Sequence, residues 1–156
     1  MRLWVVAWLP AVLWAAVIFG LSSISGAQLP SIDLPSVDKL AHLLVYAVLG
    51  ALVLRGVDRD RPPGAKAEAK AKAKAKAKAK AKGTQALRAR DFAVAIALTT
   101  LYGVSDEIHQ RWTPNRSPDW HDVVADALGA ALGALALVAT RWLKMRVCLM
   151  MGRSKN

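Results

Sequence analysis

The sequence has almost no cysteine, since Cys148 is the only one among 156 residues. A single thiol excludes an intrachain disulfide, so the redox compartment does not follow from cysteine usage. The segment from Leu3 to Leu21 also lacks any charged residue. An uncharged apolar run of this length indicates a helix that crosses a membrane.

Apolar composition and positive charge occur together in this chain. Hydrophobic residues make up 54% of it, yet the formal net charge is +11. These values are compatible if the apolar residues form membrane spans and the charges lie between them. Most of the excess charge lies in one repetitive tract and the tail, without a folded nucleic-acid-binding motif, so nucleic acid is not an expected partner.

Four segments are long enough to be spans, because about 20 helical residues cross roughly 30 Å of hydrocarbon. We predict an all-α membrane protein with a single domain over 1–156 and a four-helix transmembrane bundle, with spans at about 3–21, 38–55, 91–110 and 120–142. A cleavable signal peptide is the alternative for the first segment, with Ser25-Gly26-Ala27 as the cleavage site. Its apolar run is long for a signal peptide and contains Trp and Pro.

The distribution of Lys and Arg predicts the orientation of these spans. The segment from Arg55 to Arg90 carries thirteen of them, whereas Ser22 to Asp38 carries none and Asp106 to Asp122 carries two. Because basic loops remain in the cytoplasm, we expect both termini and the basic loop to be cytoplasmic in a multi-pass protein.

A low-complexity Ala/Lys linker occupies 65–82 within the basic loop. Lysine points in every direction of a helix built from this repeat, so the tract has no apolar face to bury. We interpret it as a solvated linker. The alternative is docking on anionic inner-leaflet lipid, at about 1 kcal/mol per surface Lys.

Polar residues cluster towards one end of the last three predicted helices. Asp38, His42 and Tyr46 form one stripe at i, i+4 and i+8. Counted from the basic ends, His42, Glu107 and Asp126 lie at about 20–24 Å and Asp122 at about 28 Å. Ionisable groups at similar depth on three helices predict a shared site, because such groups face the bundle interior or water. A polar network that only fixes helix register is the alternative.

The segment between the third and fourth predicted helices contains Pro114, Arg116 and Pro118. The prolines restrict its backbone, and a guanidinium held there suits a phosphate or carboxylate. Arg116 could instead neutralise Asp119 or Asp122. A zinc site from His42, Glu107 and a third group lacks any metal-ligand spacing, so we expect no metal and no cofactor.

Several motifs in order give the chain a family resemblance. They are Asp38-Lys39-x-x-His42-x-x-x-Tyr46, Asp106-Glu107-x-x-Gln110, Pro114-x-Arg116, Asp119-x-x-Asp122 and Gly129 with Gly133. This pattern resembles the VanZ-like family of small bacterial integral membrane proteins. Family members often carry Asn where this chain has Asp126, and the Ala/Lys insertion departs from their short loop. The resemblance implies a bacterial inner-membrane location and an envelope context, linked by name to resistance to the glycopeptide teicoplanin.

These observations favour a protein that binds or modifies an anionic lipid or a lipid-linked cell-wall precursor at the extracytoplasmic face. The candidate catalytic residues are His42, Glu107 and Asp122. The candidate substrate-binding residues are Lys39, Tyr46, Asp106, Gln110, Arg116, Asp119 and Asp126. Whether the protein is an enzyme stays open. The alternatives are a non-enzymatic accessory protein that binds partners and a small transporter, which would need to form a homo-oligomer.

Overall fold

The computed structural model describes residues 2–28, 35–59 and 89–153. These residues form helix α1 (Arg2–Ser22), a short 3-10 turn (Gly26–Gln28), α2 (Pro35–Arg59), α3 (Ala89–Gln110) and α4 (Trp120–Arg153). All regular structure in these ranges is helical, which confirms the all-α prediction. The Ala/Lys tract and most of the basic loop lie outside the described residues.

Three of the described helices are long and apolar enough to cross a membrane. The candidate spans are Val5–Ser22, Val37–Arg59 and Trp120–Cys148. Helix α3 is not among them, because Asp106 and Glu107 near its end lower its apolar character. A multi-pass protein is therefore indicated, whereas the fourth crossing stays a prediction.

Helices α2 and α4 approach each other closely through glycine. A Cβ atom at Gly129 would collide with the backbone of Leu43, and one at Gly133 with the carbonyl oxygen of Ala47. From the α2 side, a Cβ atom at Gly50 would collide with the backbone of Ala130 in α4. Small residues let the two backbones meet, which is how helices pack where lipid supplies no hydrophobic driving force.

Helix α1 is held to the bundle by hydrogen bonds that two aromatic side chains donate to backbone carbonyls. The indole of Trp14 donates to the Val45 carbonyl at 2.9 Å, and the Tyr102 hydroxyl donates to the Ala15 carbonyl at 2.6 Å. An apolar cavity of about 230 Å³ lies next to Tyr102, between α1, α2 and α3. Its lining is mostly apolar and includes Trp8, Leu49 and Leu98, with Thr99 and Tyr102 as its polar members.

The loops after α1 and α3 meet at one end of the bundle. The Gly26 amide donates to the Pro114 carbonyl at 3.0 Å, and the Ser25 hydroxyl donates to the same oxygen at 3.1 Å. The beginnings of α2 and α4 lie at this end too, since Lys39 reaches Asp119. At the opposite end, Arg141 pairs with Asp58 at 3.1 Å. We call the first the carboxylate end and the second the basic end.

Candidate functional site

His42 of α2 and Asp126 of α4 form the buried pair of the carboxylate end. Nδ1 of His42 lies 3.0 Å from Oδ1 of Asp126, and the two side chains are 11% and 0% exposed. A carboxylate with no exposure needs such a partner, because an unpaired charge inside the protein is strongly unfavourable. The glycine spacing that brings α2 against α4 therefore also fixes this pair.

Tyr46 lies one turn deeper than His42 on the same face of α2. The two rings stack with centroids 6.1 Å apart, and the Tyr46 ring also approaches that of Tyr102 at 6.2 Å. Its buried hydroxyl has no hydrogen-bond partner among the described residues. Tyr46 thus packs against His42 from the deeper side, and its hydroxyl interacts electrostatically with the Asp106 carboxylate.

Lys39 bridges two carboxylates at the start of α4. Its Nζ lies 2.8 Å from Oδ2 of Asp119 and 3.4 Å from Oδ1 of Asp122. Asp122 is buried, whereas Lys39 and Asp119 are half-buried. Lys39 therefore neutralises the carboxylates that the sequence offered as alternative partners for Arg116.

Asp119 caps the amino-terminal end of α4. Its Oδ1 accepts the His121 backbone amide at 2.9 Å and lies 2.6 Å from His121 Nδ1, which is typical of an N-cap side chain. The hydrogen bond from Lys39 and those from His121 hold the pKa of Asp119 below its usual range. The group is therefore ionised at neutral pH, as an N-cap next to an ammonium group requires.

Glu107 links α3 to this cap. Its Oε2 accepts the Asp119 backbone amide at 2.8 Å, while its buried Oε1 has no hydrogen-bond partner in the described residues. The carboxylate also lies close enough to His42 and Asp122 to interact electrostatically with both. Glu107 thus brings α3 into contact with the groups of α2 and α4.

Two further predicted residues, Asp106 and Gln110, are buried on α3. Oδ1 of Asp106 has no hydrogen-bond partner among the described residues. The backbone carbonyl of Gln110 accepts a hydrogen bond from the Thr113 backbone amide at 3.0 Å. Gly103 on the same helix leaves the space that Asp126 Oδ2 occupies, because a Cβ there would overlap that oxygen. The buried face of α3 is thus polar at this end.

Arg116 lies in the loop that the contacts from Ser25 and Gly26 fix in place. Its backbone amide donates to Thr113 at 3.2 Å, and the neighbouring Asn115 adopts a positive φ of 57°. The Arg116 side chain is half-buried and its Nε lacks a hydrogen-bond partner. Within the described part of the chain, Arg116 forms no ion pair, unlike Lys39.

The structure brings together the predicted residues of three helices but does not test their chemical roles. The catalytic and binding assignments stay predictions. Sequence reasoning missed Thr99, which is fully buried with an unpartnered hydroxyl. Its signal was available, since Thr99, Gly103 and Glu107 follow one another at intervals of four on α3.

Apolar helices that enclose converging carboxylates and a histidine define a multi-pass membrane protein with a polar site at one end of the bundle. The chain belongs to the VanZ/LLP1 family, whose sequence profile matches residues 5–143. This match confirms the resemblance drawn from the motifs. No curated protein and no solved structure matches the chain.

Proposed function

We propose that this protein works in the bacterial cell envelope, where it binds or modifies an anionic lipid or a lipid-linked cell-wall precursor at the extracytoplasmic face. One observation carries the proposal: α2, α3 and α4 each deliver polar groups to the carboxylate end, and the groups interact there. Placing ionisable groups within the membrane costs free energy, so such groups indicate a functional site unless they serve only to fix the helices relative to one another.

Arg116 is the residue best suited to hold the anionic group of the ligand. Lys39 already contacts Asp119 and Asp122, so an anion would have to compete with two carboxylates for it. The Arg116 guanidinium has no such competitor among the described residues. Its planar donors match two oxygens of a phosphate or carboxylate, and its loop is already fixed.

His42 and Glu107 are the candidates for proton transfer. Asp126 holds His42 Nδ1, which orients the ring and leaves Nε2 as the second nitrogen. Glu107 keeps one oxygen without a hydrogen-bond partner beside His42. Asp122 would act through these two groups, since it lies near both and is already near Lys39. A group transfer at a lipid headgroup needs one proton donor and one acceptor, and this arrangement supplies both.

The distribution of basic residues in the sequence supports an outward-facing site. The described cations at the basic end include Arg55, Arg59 and Arg141. The loop that follows α2 contains most of the lysines of the chain. If that end lies in the cytoplasm, the carboxylate end faces the extracytoplasmic side. This orientation also requires α3 to cross the membrane.

The test is a lipid and precursor profile of a deletion strain that is complemented with variants. Wild type should restore the profile, whereas Glu107→Gln and His42→Ala should not, once expression is adjusted so that each is present in the membrane at the wild-type level. Asp58→Asn, which removes a carboxylate at the basic end, is the matched control and should restore it. Teicoplanin susceptibility of the same strains would show whether the family's link to resistance extends to this protein.

An accessory role is the second candidate, and the extent of hydrogen bonding at the site favours it. Glu107 accepts the amide of the α4 cap, and Asp126 is fully buried against His42. Such contacts could serve only to hold α2, α3 and α4 in register. In that case Glu107→Gln would restore the lipid profile as fully as Asp58→Asn does.

A further inference from the structure

Three potential metal ligands lie together at the entrance of the polar site. Asp38 and His42 occupy successive turns of α2, and Asp122 comes from the first turn of α4. One ligand atom from each lies within 4.8 Å of the others. Ligands of a single transition-metal ion lie at most roughly 4 Å apart. Asp38 is exposed, so its side chain is free to rotate towards the other two ligands.

The contact between His42 and Asp126 prepares the imidazole for a metal. With Nδ1 donating to the fully buried Asp126 carboxylate at 3.0 Å, the ring is fixed in orientation, and a metal ion would take the place of the proton on Nε2. Metal-binding histidines in proteins are usually held by a carboxylate or carbonyl in this way. Asp126 thus has the position of a residue that orients a ligand.

The buried carboxylates at this end outnumber the positive charges that pair with them among the described residues. Four carboxylates are buried here, namely Asp106, Glu107, Asp122 and Asp126. The cations that pair with them in the described residues are Lys39 and His42. Residues 29–34, which connect the 3-10 turn to α2, contain Asp33 and no Lys or Arg. The charge that the carboxylates need must therefore come from bound protons or from a cation.

The environment of Glu107 also favours a cation near His42 and Asp122. It is 6% exposed, its Oε1 has no hydrogen-bond partner among the described residues, and it interacts electrostatically with His42 and Asp122. A free buried carboxylate oxygen beside two metal ligands is suited to be a further ligand or to accept a hydrogen bond from metal-bound water.

We propose that Asp38, His42 and Asp122 bind one divalent transition-metal ion, Mn²⁺ or Zn²⁺, with Glu107 beside it. One imidazole and two carboxylates suit these ions, whereas Mg²⁺ and Ca²⁺ prefer oxygen ligands alone. The ion would compensate the buried carboxylates and give the entrance of the site a positive centre. Cation binding can be measured without lipid, so its failure would leave the proposed function standing. A metal ion on His42 would leave Glu107 as the group for proton transfer.

Lys39 competes with the ion for Asp122. Its ammonium lies 3.4 Å from Asp122 Oδ1, but the closer contact, at 2.8 Å, is with Asp119. A bound metal ion would repel this ammonium and leave it on Asp119 alone. Removing the charge with Lys39→Met should therefore increase metal affinity.

The experiment is a titration of purified, chelator-treated full-length protein in detergent with Mn²⁺. Loss of the electron paramagnetic resonance signal of free Mn²⁺ reports binding, and competition with Zn²⁺ gives the preference between the two ions. We expect one ion per chain. Asp38→Asn and His42→Gln should each weaken binding by at least about tenfold, since even the loss of a residue that only orients a ligand costs that much. His109→Gln, a histidine outside the cluster, is the matched control and should bind as wild type does.

Because Asp38 is exposed, Asp38→Asn tests the site even if His42→Gln fails to fold. Absence of saturable binding to wild type up to millimolar Mn²⁺ and Zn²⁺ would overturn the proposal. So would binding that survives both Asp38→Asn and His42→Gln unchanged. Weaker binding by folded Lys39→Met would also contradict it, since that result would make Lys39 a support rather than a competitor.

Discussion

The two ends of the bundle hold their charges in different ways. At the carboxylate end, buried groups on three helices contact one another, and Asp126 has no exposure at all. At the basic end, Arg141 and Asp58 form a pair whose side chains are 37% and 32% exposed. Ion pairs with access to water contribute little to stability, whereas an unpaired buried charge is strongly destabilising. Stability should therefore depend on the polar residues of one end only.

The largest effect should come from breaking the buried pair. His42→Leu leaves Asp126 without its partner in the bundle interior, so we expect a loss of about 3–5 kcal/mol in the free energy of unfolding. Thermal or denaturant unfolding in detergent or bicelles measures it. The double variant His42→Leu/Asp126→Leu removes both charges and should recover part of the loss. A single variant as stable as wild type would show that water reaches Asp126 freely.

The next effect tests whether close helix packing, rather than ion pairing, holds α2 to α4. Gly133→Ala places a methyl group against the Ala47 carbonyl, which must move away. We expect a loss of about 1–3 kcal/mol, as for other overpacked contacts. Gly20→Ala is the matched control, because a Cβ atom there meets nothing within 4 Å. Equal stability of the two variants would mean that the helices are further apart than described.

A smaller effect should appear only when the pH is lowered. The pKa of Asp119 is depressed by the Lys39 ammonium and by His121, so its ionised form stabilises the folded protein at pH values above its ordinary pKa of 3.8. This contribution is lost as the pH falls through the lower folded-state pKa. Asp119→Asn should lower the melting temperature at neutral pH and reduce its further decrease in acid.

The neighbouring exposed residue provides the control for that comparison. Ser117→Ala, in the same loop, should keep the acid dependence of wild type. An Asp119→Asn variant whose melting temperature falls with acid as steeply as that of wild type would show that other groups cause the dependence.

The smallest effect is expected at the basic end. Arg141→Met removes the partner of Asp58 on a partly exposed surface, so the free energy of unfolding should fall by no more than about 1 kcal/mol. The same unfolding measurement applies, with His42→Leu as the reference. A loss as large as that of His42→Leu would remove the distinction between the two ends.

Much of this arrangement could be predicted from the sequence because depth along a helix follows from residue number. The spacing of Asp38, His42 and Tyr46 gave one face, and the distances from the basic ends placed Glu107 and Asp126 at a similar level. The ends of the helices were harder to predict from the sequence. Helix α4 continues past the predicted end at Trp142 to Arg153, because no proline or glycine interrupts it before Gly152.

Partner choice within the site could not be predicted, because it depends on the rotation of the helices. The sequence left open whether Arg116 binds a phosphate or carboxylate or instead neutralises Asp119 or Asp122, and in the structure it is Lys39 that pairs with both carboxylates. The approach of Asp38 to Asp122 was also unforeseen, since no sequence spacing relates residues on two helices. Gly129 and Gly133 indicated a close contact but not that α2 makes it.

We propose that the two ends lie on opposite sides of the membrane, with the carboxylate end outside. Single cysteines at Ser117 and Thr84, each in a Cys148→Ser background, test it with a membrane-impermeant thiol reagent. Ser117→Cys should be labelled in intact spheroplasts, and Thr84→Cys only after the membrane is made permeable. Labelling of Thr84→Cys from outside, or protection of Ser117→Cys, would contradict the orientation and the extracytoplasmic site with it.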